Sequence, residues 1–170
     1  PPGAAVTLQN FEPCINGGYR RLSGTSKWNS NQVNGSEKIL GLKIFNNGVV
    51  AAAGNIVTFA TDSSSYATIG TRTSAGRYKF DIFNFNNTEK LIMVDDVNQA
   101  ATYDGSTYSL ISTTGAPADA ASVAVFKDHV FYAGMSSNPQ EIIFSAPFAE
   151  TDFSAANGAG SIRVDTSVVE

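Results

Sequence analysis

Ile82-Phe83-Asn84-Phe85-Asn86-Asn87, followed by Leu91-Ile92-Met93-Val94 and then Ala101-Thr102-Tyr103, is the stretch that decides the fold. Asn accepts left-handed backbone conformations, so Asn86-Asn87 reads as a turn between two apolar runs. Ahead of that turn, Tyr78, Phe80 and Ile82 alternate with Lys79 and Asp81, the period of a strand with one buried face. Beyond it, Leu91 to Val94 is uninterrupted and apolar, which suits a strand covered on both faces. Asp104-Gly105, between Thr102-Tyr103 and Thr107-Tyr108, then reads as a hairpin turn, because both residues tolerate positive φ.

The same order recurs on either side. Upstream, Leu40, Leu42 and Ile44 alternate with Gly41 and Lys43, predicting a buried face there too. Lys43-Ile44-Phe45-Asn46-Asn47-Gly48 then leads through the apolar run Val49–Ala53 to Ile56-Val57-Thr58-Phe59. Downstream, Val123-Ala124-Val125-Phe126-Lys127-Asp128 leads to His129, Val130-Phe131-Tyr132-Ala133 and Ile142-Ile143-Phe144. Val49, Leu91 and Val130 lie 42 and 39 positions apart, and Phe59, Tyr103 and Phe144 lie 44 and 41 apart. A unit of about 40 residues holds four short strands and their turns, which is one propeller blade. The expectation is an all-β, β-propeller-like fold with about three four-stranded blades over residues 37–170. A propeller ring needs about four to eight blades, so either the rest of it is expected beyond residue 170 or the chain is expected to be one sector of a larger assembly. An ordinary β-sandwich is the competing architecture.

Residues 1–36 have a different texture. Pro1, Pro2 and Pro13, repeated Asn and Gly, and the positive charges Arg20, Arg21 and Lys27 predict an extended N-terminal strap with one short strand around Tyr19–Leu22. The start at Pro1 without Met and the strand-like end Val168-Val169-Glu170 fit a portion of a longer protein. Helix is nearly absent from the pattern; Pro117–Ser122 is the nearest candidate and is too short to matter.

Composition narrows the function. Of 170 residues, 42% are hydrophobic and 15% charged, against about 25% charged in average chains, so the surface is polar through Ser, Thr, Asn and Gly. That excludes helical bundles and coiled coils. A net charge of −4 excludes a broadly basic nucleic-acid clamp. No run approaches the ~18 apolar residues of a membrane helix. A single Cys, Cys14, leaves no intrachain disulfide framework.

Residues able to carry chemistry are sparse. The only His is His129, read as a surface residue in the turn at Asp128, and Cys14 has no His near it in sequence. Nucleophilic catalysis needs a base beside the nucleophile, and zinc needs several Cys or His ligands. Ser23-Gly24-Thr25-Ser26-Lys27 lacks the glycine spacing of a phosphate loop. Asp95-Asp96-Val97-Asn98 has the oxygen ligands Ca²⁺ uses but no surrounding loop pattern, and reads as a solvated turn. Asp81, Asp95, Asp96, Asp104 and Asp128 sit on strands or turns with nothing to pair them across a cleft. Asn34-Gly35-Ser36 and Asn86-Asn87-Thr88 match the glycosylation triplet, as chance allows in an Asn-rich chain. The basic cluster Arg20, Arg21 and Lys27, with Tyr19 and Trp28 beside it, is too small for tight DNA binding and suits a subunit contact. No catalytic, cofactor-binding or metal residue is assigned, and no enzymatic activity is expected.

Two stretches resemble virion proteins of short-tailed bacteriophages. Asn10-Phe11-Glu12-Pro13, then Asn16-Gly17-Gly18-Tyr19-Arg20-Arg21-Leu22-Ser23-Gly24-Thr25, is similar to the opening of phage proteins that carry a β-propeller, with Ser23 where many have Pro. Val130-Phe131-Tyr132-Ala133-Gly134, with Asn138-Pro139-Gln140, Ile143-Phe144-Ser145, Asp152-Phe153 and Gly160-Ser161-Ile162-Arg163-Val164, resembles a later segment of the same proteins. The best-matching family is the tail nozzle, also called tail tubular protein B or packaged-DNA stabilisation protein. The resemblance implies a homo-oligomeric, hexameric ring in the phage tail, assembled in the bacterial cytoplasm and bordered by adaptor proteins and tail fibres. It also implies that genomic DNA passes through the lumen without sequence-specific binding, is retained before infection and is released for ejection. The alternative is a receptor- or carbohydrate-binding β module presenting exposed aromatics such as Trp28, Tyr66 and Tyr108. The 42-residue spacing of Tyr66 and Tyr108 suits a blade framework better than a ligand platform. A propeller glycosidase is a third reading and needs a second carboxylate.

Overall fold

The computed structural model describes residues 9–24, 26–62, 65–73 and 76–164. The chain divides into two compact units between Ser30 and Asn31. In the first, β1 (Phe11–Pro13) pairs antiparallel with β2 (Tyr19–Arg21), placing Glu12 opposite Arg20. The strand expected near Tyr19–Leu22 is therefore one arm of a hairpin. Its loop closes through Gly17 and Gly18, both at positive φ.

The second unit is all-β, apart from a single 3-10 turn at Ala155–Asn157 among the described residues. It contains three four-stranded antiparallel sheets, each with its strands in chain order. The first sheet is β3 (Ile39–Phe45), β4 (Gly48–Ala53), β5 (Ile56–Ala60) and β6 (Ala67–Thr71). The second is β7 (Lys79–Phe85), β8 (Thr88–Val94), β9 (Ala101–Tyr103) and β10 (Tyr108–Leu110). The third is β11 (Ser122–Phe126), β12 (His129–Ala133), β13 (Glu141–Phe144) and β14 (Gly160–Arg163).

The same two-residue turn opens each sheet. Phe45 pairs with Gly48, Phe85 with Thr88 and Phe126 with His129. The two residues between each pair are left-handed: Asn46 and Asn47 (φ 45° and 58°), Asn86 and Asn87 (50° and 67°), Lys127 and Asp128 (45° and 68°). This backbone matches the twist of the flanking strands, and Asn enters it at low cost. Measured at these turns, the repeat steps by 40 and then 41 positions.

The sheets pack face to face. Phe45, Val50, Ala52 and Val57 of the first sheet meet Leu91, Met93, Ala101 and Tyr103 of the second in one buried cluster. Phe85, Ile92 and Val94 of the second meet Val130 and Tyr132 of the third in another. Leu91 and Met93 thus point one way while Ile92 and Val94 point the other, which is why that run carries no polar residue. Burying one such side chain contributes roughly 1.5–3 kcal/mol, so the second sheet, covered on both sides, is the centre of the unit.

Two expectations are corrected. The alternation at Leu42 and Ile44 marks no buried face: they are 59% and 71% exposed, because no other sheet covers that side of β3. At Asp104-Gly105 only Gly105 takes positive φ. Asp104 instead closes a four-residue loop with its side chain, Oδ1 accepting from the Ser106 and Thr107 amides at 2.8 and 2.7 Å. Those hydrogen bonds hold its carboxyl below the usual range.

Candidate functional site

The most elaborate polar constellation lies at the junction of the first and second sheets. Arg72 follows β6 and Asp95 follows β8, so the ends of these two strands deliver charge to the same junction. Their side chains are 1% and 0% exposed, with Arg72 Nε 3.9 Å from Asp95 Oδ2. A buried charge persists only where partners surround it. Asp95 Oδ1 accepts from the amide of Asn98 at 2.8 Å, and Oδ2 from the Asn98 side-chain amide at 2.8 Å. Arg72 Nη1 donates to the Gln99 carbonyl at 2.6 Å, and its guanidinium lies 5.8 Å from the Tyr78 ring centre and 5.5 Å from that of Tyr108.

The two tyrosines complete the box. A Cβ on Gly70 would fall 2.5 Å from the Tyr108 ring, so Tyr108 lies directly on that backbone. Burial pushes the Tyr108 phenol up to about 12, with Asp95 adding to the rise and Arg72 opposing it. Tyr78 is raised for the same first cause. The aspartate is thus hydrogen-bonded by donors of its own turn, lies 3.9 Å from the arginine and is sealed from solvent by burial. The Asp95–Asn98 turn is not the solvated turn expected from sequence: Asp95 is fully buried, while Asp96 alone of the two carboxylates faces outward. The whole arrangement ties the first sheet to the second.

The second junction has its own ties. Asp81 Oδ2 accepts from the Val125 amide at 2.6 Å, linking β7 to β11. Lys90 pairs with Glu150, a carboxylate only 6% exposed. Tyr132 is fully buried, and burial together with the Glu150 charge raises its phenol.

The remaining candidates stay separate. His129 is no surface residue: it is half-buried at the start of β12, its ring 5.5 Å from that of Phe144, and Nδ1 faces the Ser145 carbonyl oxygen at 2.5 Å. A carbonyl only accepts, so Nδ1 carries the proton. Ser145 Oγ already accepts from the Val130 amide at 3.1 Å and donates to the Ala146 carbonyl at 3.0 Å, so His129 and Ser145 form no nucleophile–base pair. Cys14 is half-buried and unpaired by any disulfide, in the β1–β2 hairpin loop. Among the described residues no three His, Cys, Asp or Glu side chains cluster as metal ligands, and no helix is long and apolar enough to cross a membrane.

The basic cluster is partly neutralised. Arg20 Nε lies 2.5 Å from Glu12 Oε1, across the register that pairs β1 with β2. Arg21 and Lys27 are exposed, as is Trp28; Thr25, inside the Ser23–Lys27 stretch, lies outside the described residues. Of the three aromatics considered for sugar stacking, Tyr108 is committed to Gly70 and Arg72, Tyr66 is half-buried, and Trp28 is 50% exposed. The Arg72–Asp95 pair was not readable in advance. The signal would have been a charged residue closing each of two successive apolar repeats.

Compared with protein-family models, curated proteins and solved structures, the chain matches none.

Proposed function

We propose that this chain is a structural protein of a bacteriophage virion, of the tail-nozzle type, and that its three sheets are consecutive blades of a propeller. The observation that carries the propeller reading is the threefold recurrence of one four-stranded meander, each opened by the same left-handed turn, with the first stacked on the second and the second on the third through buried apolar faces. The virion reading rests on the resemblance of residues 10–25 and 130–164 to phage propeller proteins. The arrangement of charge is in keeping with it. The chain's carboxylates at the sheet junctions, Asp81, Asp95 and Glu150, are engaged by protein groups, and the overall charge is −4. A conduit wall that lets DNA slide benefits from making few phosphate contacts. The role is mechanical, in a homo-oligomeric ring, and involves no catalysis or cofactor.

Quantitative mass spectrometry of purified virions tests this. Peptides of the chain at half the copy number of the portal subunit are the expected result. A copy number in larger multiples of three points to a fibre or spike instead. Absence from the particle overturns the reading and puts the binding-module alternative first, to be tested on a glycan array.

A further inference from the structure

We propose that a buried water molecule, held by Arg72, Tyr78 and Tyr108, is an integral part of the junction between the first and second sheets. These three side chains have unused hydrogen-bonding capacity. Arg72 Nε and Nη2 and the hydroxyls of Tyr78 and Tyr108 are sealed from solvent and have no hydrogen-bond partner among the described residues. Only Nη1 of the guanidinium is used, on the Gln99 carbonyl at 2.6 Å. Buried polar groups without partners are rare, because each costs the desolvation of the group.

The groups belong to one place. The guanidinium carbon lies 5.5 Å from the Tyr108 ring centre and 5.8 Å from that of Tyr78. Burial is the first cause of the raised phenols; beyond it, Arg72 opposes the rise at both and Tyr108 adds to it at Tyr78, so each group lies in the field of the others. Arg72 approaches the Tyr78 oxygen without reaching hydrogen-bond geometry. Its contact with Asp95, Nε to Oδ2 at 3.9 Å, is also too long for a direct hydrogen bond. Polar groups held this far apart are where a bridging water belongs. Tyr78 precedes β7 and Tyr108 opens β10, the two outer strands of the second sheet, while Arg72 follows β6 of the first. One water on all three therefore ties the first sheet to both sides of the second.

Charge selects water over an anion. A water accepts two hydrogen bonds and donates two, so it takes the Nη2 proton and meets each phenol as donor or acceptor. An anion suits the same donors, but Asp95 already balances Arg72, and a second negative charge beside it would be sealed from solvent. Arg72 also lines a surface cleft of about 340 Å³ with Thr71, Asn98 and Gln99, which brings solvent to the edge of the site. The inference rests on these side chains and is independent of the virion reading.

Crystallography of the 170-residue chain in a bromide-containing solution, with urea denaturation of Tyr78→Phe and Tyr108→Phe variants, tests it. The expected result is a solvent peak within about 3.2 Å of Arg72 Nη2 and of at least one phenol oxygen, with no bromide anomalous signal. Phe keeps the ring beside the guanidinium and removes only the oxygen, so each variant isolates its hydroxyl. Each is expected to raise the unfolding equilibrium constant about fivefold. The double variant is expected to raise it by less than the product of the two, because both hydroxyls share one water. A bromide peak at the site, or Arg72 Nη2 resting on a protein acceptor, overturns the proposal. So do variants as stable as the wild type or more so, since removing a hydroxyl that bonds to nothing relieves its desolvation.

Discussion

Arg72 and Asp95 face each other at 3.9 Å with both side chains sealed from solvent, where β6 of the first sheet and β8 of the second each run into a charged residue. Breaking such a pair from one side leaves an uncompensated buried charge, which costs roughly 3–5 kcal/mol. Arg72→Met is therefore expected to lower stability by about that much, read from urea denaturation. Adding Asp95→Asn removes the orphaned charge. Its carbonyl still accepts from the Asn98 amide, so the double variant is expected to lose less than the sum of the two single losses. Strict additivity would mean that the two side chains do not interact across the junction.

Buried phenols set the alkaline limit of the fold. Tyr108 is pushed up to about 12, and Tyr78, Tyr132 and Tyr103 are raised, each chiefly by burial. A raised folded-state pKa means that the native chain holds its proton where the unfolded chain has lost it. The contribution is complete below the ordinary tyrosine value near 10 and is lost as pH rises from there through the folded values. Stability is expected to fall steadily above pH ~10. Tyrosinate absorbance from these residues is expected to appear together with loss of the β-sheet dichroism. Ionisation of all six tyrosines before any unfolding would contradict the burial described above.

The strand order and the turn positions were readable from residues because their physics is local. Asn46-Asn47, Asn86-Asn87 and Lys127-Asp128 sit between apolar runs, and each becomes the same turn. Val49–Ala53 and Leu91–Val94 announce covered strands through composition alone, although Val49 itself stays half-buried. The outer strands β6, β10 and β14 carried little signal, because most of their residues lie toward solvent. The fates of Leu42 and Asp95 were hidden for a different reason. Alternation shows that Leu42 and Ile44 share a face, but whether another sheet covers it depends on the rest of the assembly. Asp95 looks solvated until a neighbouring sheet brings Arg72 to it from 23 positions away.

The third turn carries a residue poorly suited to its backbone. Lys127 has φ 45°, in the region where a Cβ costs roughly 1–2 kcal/mol and where Asn and Gly are tolerated. The equivalent residues Asn46 and Asn86 are asparagines. Lys127→Asn is expected to raise stability by about 0.5–1 kcal/mol, read as a higher melting temperature with the fold unchanged. The side chain is exposed, so no packing is lost in exchange. A fall in melting temperature would argue that the Lys127 ammonium, 5.5 Å from the Phe126 ring centre, contributes more than its backbone costs.

Two glycines separate close approach from mere flexibility. A Cβ on Gly76 would sit 1.7 Å from the Asp95 carbonyl oxygen, with Val97 also within 3 Å. That oxygen belongs to the backbone of a fully buried residue, so it has nowhere to move. Gly76→Ala forces the segment leading into the second sheet away from the Asp95 turn and disturbs the Arg72 junction with it. Overpacking typically costs 1–3 kcal/mol, and the rigid neighbour puts Gly76→Ala at or above the top of that range, about 3 kcal/mol. Gly24 has no atom within 4 Å of its Cβ position and a φ outside the positive region. Gly24→Ala is the matched control and is expected to leave the urea midpoint within about 0.5 kcal/mol of the wild type. Similar small effects at both positions would show that the Gly76–Asp95 approach relaxes freely, and the junction would then lose its claim to hold the first two sheets in place.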